Sequence, residues 1–343
     1  MRPVMSYSDR AAVRSDSREG VPGGPAESQR PSPGDGPSPD VRQILQEARV
    51  GRAKVEREQR GNSPRTRRSA TSGAARERLK VRSSGGLGGH YYPSVTQTVG
   101  PMPLLVAVHG VTRNRGEIVQ ELLHHVPDDT AVLLPFFSQK RFRGYQRLEP
   151  GPEGADPSRE LLALLDEVER ITQVQSRVSL FGFSGGAQFA HRFTMLFPER
   201  VVQLIAVAAG FYTMPVAERD FPYGLRAVGA LSRPITEDDW RRYLECPKHV
   251  LVGELDTDRD RHLRQDDELD RAQGRDRVER ARRYAFSLRA LEIRVTGRPR
   301  TRFVLLRRSG HSLRSCVKRG GLGRELAGIL RAATAVGPVG EQS

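Results

Sequence analysis

One junction in the chain constrains its fold more than any other feature. An apolar run at residues 177–183 passes into Gly182-Phe183-Ser184-Gly185-Gly186, and an apolar stretch with helical spacing follows at 187–196 with no loop between them. A short apolar run closed by glycines predicts a buried strand, and the 3.6-residue spacing after it predicts a helix. The glycines at minus two, plus one and plus two of Ser184 remove the side chains that would block so sharp a turn. That turn pushes the serine hydroxyl outward, above the unbonded N–H groups of the first helical turn. The spacing lacks the lysine and Ser/Thr of a phosphate-binding loop, and no Gly-x-Gly-x-x-Gly forms, so a nucleotide cradle is not expected.

The rest of the chain repeats the same alternation. Apolar runs at 104–108, 131–134, 201–208, 250–253 and 303–306 predict further strands. Amphipathic stretches at 115–125, 158–174, 275–291 and 323–333 predict helices, with Ser158 as the expected cap of the second. Residues 136–156 read as a long loop and 211–247 as an irregular segment. Strands apolar on both faces and separated by helices predict a doubly wound α/β domain with a mostly parallel sheet. No internal repeat is present.

Composition divides the chain before that domain begins. Residues 1–88 are dominated by Arg, Ser, Gly, Pro and Glu. Such a stretch buries too little apolar surface to offset its ordering entropy, so a disordered tail is expected there and a folded domain at 89–343. The formal net charge is +15, carried mostly by arginine. Acidic residues are interleaved with the basic ones, so no compact stripe for nucleic acid emerges and a solvated basic surface is expected. Cys246 and Cys316 have no metal-ligand spacing and read as ordinary thiols. No signal-peptide pattern opens the chain and no run approaches about 18 apolar residues, which sets the expectation of a soluble cytoplasmic protein without a membrane span.

A serine at such a junction becomes a nucleophile only beside a base. Of the eight histidines, His311 in Ser309-Gly310-His311-Ser312 lies between the last strand and the last helix, from which an imidazole can reach over the sheet. His109 ends an early strand and reads as a structural brace, and His191 lies inside the helix after Ser184. The imidazole in turn needs an acid. Asp256 in Gly253-Glu254-Leu255-Asp256 is the choice, with Glu254 and Asp258 as rivals. Stabilising an oxyanion requires backbone donors. The N–H of Gly185 is one, and Val111, or else Gly110, supplies the second.

The order of the His109-Gly110 loop, the Gly182–Gly186 elbow, the Gly253–Asp256 turn and the Ser309-Gly310-His311 loop resembles the α/β-hydrolase superfamily over about residues 89–335. The run 104–110, with Tyr91, Tyr92, Pro93 and Ser94 before it, is similar to esterases and poly(3-hydroxybutyrate) depolymerase-like members. The resemblance implies an α/β-hydrolase fold and a triad of Ser184, Asp256 and His311. It implies an acyl-enzyme mechanism that needs neither metal nor organic cofactor. It also makes 211–247 a small cap segment, with Phe211, Tyr212, Met214 and Tyr223 as candidates to line the substrate pocket. Arg219 and Arg226 in that segment read as solvated surface. The charged stretch 259–283, between Asp256 and His311, departs from the common pattern. The expected activity is hydrolysis of a small or medium carboxylic ester, with thioester, amide and polyester bonds open to the same residues. A non-catalytic binding or regulatory protein on the same scaffold, using its basic tail, is the alternative. The oligomeric state is not legible.

Overall fold

The computed structural model describes residues 76–96, 100–216, 218–226 and 233–335. Residues 1–75, most of the expected tail, lie outside the described residues. The remainder of that stretch is folded: β1 (Leu79–Arg82) and the start of β2 (Gly88–Tyr92) fall before residue 89. Their sequences explain why composition hid them. Leu79 and Val81 point inward while Lys80 and Arg82 face solvent, so each short strand carries only half the apolar content of a central one. The guanidinium of Arg76 fixes the start of this segment by donating to the carbonyls of Val126 and Pro127, at 3.1 and 2.7 Å. Buried Glu160 accepts from Ser83 Oγ and the Leu87 N–H, tying the β1–β2 turn to the domain.

The six expected strands are present as β3 (Leu104–Val108), β4 (Ala131–Phe136), β5 (Val178–Phe183), β6 (Val201–Val207), β7 (Lys248–Gly253) and β8 (Thr301–Leu306). The sheet order is β1-β2-β4-β3-β5-β6-β7-β8, antiparallel on both sides of β2 and parallel from β4 to β8. Every residue of β3 and β5 is buried, as strands covered on both faces require.

Helices cover both faces. On one side α1 (Arg115–Leu122), α7 (Leu313–Lys318) and α8 (Leu322–Ala335) bury Leu105, Ala107, Phe181, Ile205, Val207 and Leu251. On the other, α2 (Pro157–Ile171), α3 (Gly185–Leu196), α4 (Glu237–Glu245) and α6 (Arg277–Thr296) surround the opposite side chains of the strands, with α5 (Asp267–Gln273) packed on α6. Asp156, not Ser158, caps α2, accepting from the N–H groups of Ser158 and Arg159. Pro157 therefore occupies the first helical position, where its missing N–H costs nothing.

Chain order reverses around β3: the chain moves outward from β3 to β4, then crosses back over β3 to β5. In open α/β sheets the crevice beyond the carboxyl ends of the strands at such a reversal is where ligands bind. The loops that leave β3 and β5 there carry Gly110, Val111 and Ser184.

Candidate functional site

Ser184 takes φ 53° and ψ −114°, a left-handed conformation that a side chain resists, between the end of β5 and the start of α3. Its N–H donates to the Val207 carbonyl at 2.8 Å, which anchors the strained residue to β6. The flanking glycines are required sterically. A Cβ on Gly186 would overlap the carbonyl oxygens of Val108 and His109, and one on Gly182 would overlap the Gly186 carbonyl. The elbow thus forms only because bare backbone can press α3 against β3.

His311 reaches the elbow from the loop after β8. Its Nε2 lies 3.1 Å from Ser184 Oγ, and its Nδ1 lies 2.8 Å from Asp256 Oδ2. The ring also stacks on Phe183, with centroids 5.4 Å apart. Asp256 is buried, three residues past Gly253. That glycine lets the end of β7 touch the backbone of the histidine loop, because a Cβ there would meet the Gly310 oxygen at 2.9 Å. The Leu255 N–H donates to the Ser309 carbonyl at 2.8 Å and closes the contact.

The rival acids have other positions. Glu254 accepts from Arg307 at 2.9 Å and from the Arg308 N–H at 3.0 Å, holding the outer side of the histidine loop. Those two bonds keep its carboxyl below the usual carboxylate range. Asp258 is exposed, and it is its backbone carbonyl that meets Arg277.

Behind Asp256 stands a residue that the sequence reading passed over. Arg277, buried at the start of α6, donates to Asp256 Oδ1 at 3.3 Å and to Asp260 Oδ1 at 3.1 Å. The charged stretch between Asp256 and His311 therefore supplies the carboxylate with a guanidinium partner. One arginine among so many gives no signal of this in the sequence.

The two expected backbone donors lie close to each other. Neither Gly185 nor Val111 donates its N–H to any partner among the described residues. They are close: a Cβ on Gly185 would lie 3.2 Å from the Val111 nitrogen. Gly110 presses against the elbow itself, since a Cβ on it would lie 3.6 Å from that of Ser184.

His109 holds this loop in place. Its Nε2 accepts from the Phe137 N–H at 3.1 Å, so the ring proton sits on Nδ1 and is donated to the Gly110 carbonyl at 2.9 Å. With both nitrogens engaged and the ring buried, its pKa is pushed down to about 4 and it stays neutral. Tyr145 completes the brace, donating its hydroxyl to the His109 carbonyl at 2.7 Å and stacking on Phe137.

The aromatic residues of the segment after β6 pack inward. Tyr212 is buried against Tyr284 with centroids 4.2 Å apart, and Phe211 lies against a tilted Tyr223 ring with centroids 5.1 Å apart. The Met214 N–H donates to the Tyr223 carbonyl at 2.9 Å. His191 and Arg192 of α3 hold Thr213, through its N–H at 3.0 Å and its hydroxyl at 2.9 Å. Arg219 and Arg226 are paired at the surface with Glu268 and Asp220. None of Phe211, Tyr212, Met214 and Tyr223 borders the cavity of about 450 Å³ that opens beside Val111, which is walled by Thr112, Arg113, Gln139, Arg143, Gln146, Arg147 and His262. The wall joins the loop after β3 to the loop between β4 and α2, with His262 from the stretch before α5.

Cys246 and Cys316 are both free and buried. Among the described residues no group of three or more His, Cys, Asp or Glu gathers as a metal site, and no helix is long and apolar enough to cross a membrane.

No protein-family model matches the chain, and no curated protein matches it. Solved structures do. A poly(aspartic acid) hydrolase from Sphingomonas sp. KT-1 is similar with a TM-score of 0.62 at 23% identity, covering 73% of this chain and 98% of its own. A poly(3-hydroxybutyrate) depolymerase from Bordetella parapertussis is similar with a TM-score of 0.61 at 24% identity, covering 75% of this chain and 90% of its own. Likeness at these identities is likeness of architecture, and it agrees with the strand order and the reversal around β3. The chain has the α/β-hydrolase fold.

Proposed function

We propose that the chain is a serine hydrolase that cleaves a carboxylic ester through an acyl-enzyme on Ser184. The observation that carries this reading is the hydrogen-bonded line from Ser184 Oγ through His311 to Asp256, set beside the two unengaged N–H groups of Gly185 and Val111. A serine hydroxyl near neutral pH is a weak nucleophile, and an imidazole lone pair 3.1 Å away removes that obstacle. In the proposed reaction Nε2 takes the Oγ proton as Oγ attacks the ester carbonyl carbon. The carbonyl oxygen gains the charge and is received by the N–H groups of Gly185 and Val111. Each such donor is worth about 3 kcal/mol to the transition state.

Asp256 keeps the proton of His311 on Nδ1, so that Nε2 presents its lone pair to the serine, and it stabilises the imidazolium that forms. The imidazolium then passes its proton to the departing alkoxide, leaving an acyl group on Oγ. Water completes the cycle: Nε2 takes a proton from it, the hydroxide attacks the acyl carbon, and the proton returns to Oγ as the acid departs. Thioesters and amides fit the same sequence of steps.

A fluorophosphonate probe tests the nucleophile directly. The expected result is a covalent adduct at Ser184, and loss of both labelling and ester turnover in Ser184→Ala, by about 10⁶-fold in kcat. Folded protein that carries no adduct at Ser184 refutes the reading.

A further inference from the structure

We propose that the cavity beside Val111 is an anion subsite, and that the ester this chain prefers carries a carboxylate a few bonds from the scissile carbonyl. The inference rests on the hydrolase reading above, because Val111 is shared between the cavity wall and the donor pair. A volume of about 450 Å³ is that of a small-molecule pocket. Its wall contains three arginines, His262 and no acidic residue.

The balance of charge in that wall is what points to an anion. Arg147 is neutralised by Glu149, in a two-pronged contact at 2.5 and 2.6 Å. Arg143 is exposed and has no acidic partner among the described residues. Arg113 spends its guanidinium on the carbonyl oxygens of Phe137, Val111, Phe142 and Arg143, none of which cancels its charge. A third cation is bonded to the wall through the Gln146 carbonyl. Arg192 is 1% exposed, and it donates to the Gln146 and Gln188 carbonyls, the Thr213 hydroxyl and the Pro222 carbonyl, all neutral oxygens. Arg113 and Arg143 thus border the cavity without an acidic partner among the described residues, and buried Arg192 is bonded to Gln146 of the same wall. Guanidinium groups are suited to planar carboxylates, and those held by protein carbonyls are already oriented when the ligand arrives.

The test uses the full chain and two matched ester pairs. One pair is 4-nitrophenyl hydrogen glutarate and its methyl ester, with the charge on the acyl side. The other is 4-acetoxybenzoate and its methyl ester, with the charge on the leaving side. Each kcat/KM is divided by the spontaneous hydrolysis rate of that ester at the same pH. We expect the anionic member to be preferred by about tenfold or more in at least one pair, with the preference falling as salt is added. Arg143→Glu should abolish that preference. Arg294→Glu makes the same charge change near the end of α6, beside the opposite edge of the sheet, and should leave the preference intact. Neutral esters hydrolysed with no anionic preference in either pair overturn the subsite alone, as does an equal effect of both substitutions. Absence of turnover for every ester overturns the hydrolase reading, and the subsite with it.

Discussion

Replacing Asp256 with Asn changes one atom of a buried side chain, and the surrounding bonds dictate the result. Asp256 Oδ2 faces His311 Nδ1 at 2.8 Å while Oδ1 accepts from Arg277 at 3.3 Å. An arginine has only donors to offer. The amide must therefore turn its oxygen to Arg277, and its NH2 to His311. Nδ1 then has to accept, which moves the ring proton to Nε2, where it points at Ser184 Oγ and can no longer receive a proton. The reverse orientation would set NH2 against a buried guanidinium, an unpaired arrangement costing a few kcal/mol. The wrong tautomer should lower kcat by about 10⁴, equivalent to about 5 kcal/mol of transition-state stabilisation.

Steady-state turnover of an activated ester, with a thermal melt to show that the variant is folded, measures this. The geometry also makes an unusual second prediction. Arg277→Met alone should slow turnover, yet added to Asp256→Asn it should raise it, because the amide is then free to turn its oxygen to His311. Coupling of this sign is expected only if Arg277 sets the orientation of residue 256. Folded Asp256→Asn within tenfold of the parent rate would refute the assignment of the acid. So would a larger loss in Glu254→Gln than in Asp256→Asn.

Three further outcomes follow from buried groups. His109 is held neutral with a pKa of about 4 against 6.5 in the unfolded chain, and burial pushes His191 down in the same direction. Because the unfolded state binds the proton first, stability is full above about pH 6.5 and falls toward pH 4, by about 3 kcal/mol from His109 alone. Urea unfolding midpoints that stay flat between pH 7 and 5 would contradict this. Gly186→Ala drives a methyl into the Val108 and His109 carbonyls, so a loss of about 3 kcal/mol or failure to fold is expected, read from the same unfolding curves. Lys248 and Glu292 form an ion pair at 3.1 Å with both side chains fully buried, so Lys248→Met leaves the carboxylate its hydrogen bonds from Arg300 and Thr301 but no counter-charge, and should cost about 3–5 kcal/mol. Little change in its melting temperature would show that the charge finds another partner.

What was legible in the sequence was what local chemistry determines. The elbow needs three glycines within four residues of one another, and the loops bearing Asp256 and His311 follow apolar strands, so these positions could be read without long-range information. β1 escaped notice because an edge strand buries one face and carries charges on the other, and β2, between β1 and β4, because it opens on two glycines. The cap of α2 was misplaced although Pro157 marked it: proline favours the first helical position, which puts the cap at Asp156.

The arginines are the larger lesson. Their excess invites a reading of solvated surface, and for Arg226, exposed and paired with Asp220, that reading holds. Arg192 and Arg280 are fully buried. Arg280 donates to the Gly210, Gly274 and Arg264 carbonyls, and so fastens the segment after β6 to the stretch that had looked like an insertion. A guanidinium carries five N–H donors in a planar fork and can satisfy several diverging carbonyls at once, which an apolar side chain cannot do. Loops such as 137–147 and 208–214 could not be buried without such clamps, because their backbone carbonyls would go unbonded. The same residue type thus ties these loops together and lines the cavity beside Val111. Which arginines do so depends on carbonyls brought from distant parts of the chain, and that is information no local window contains.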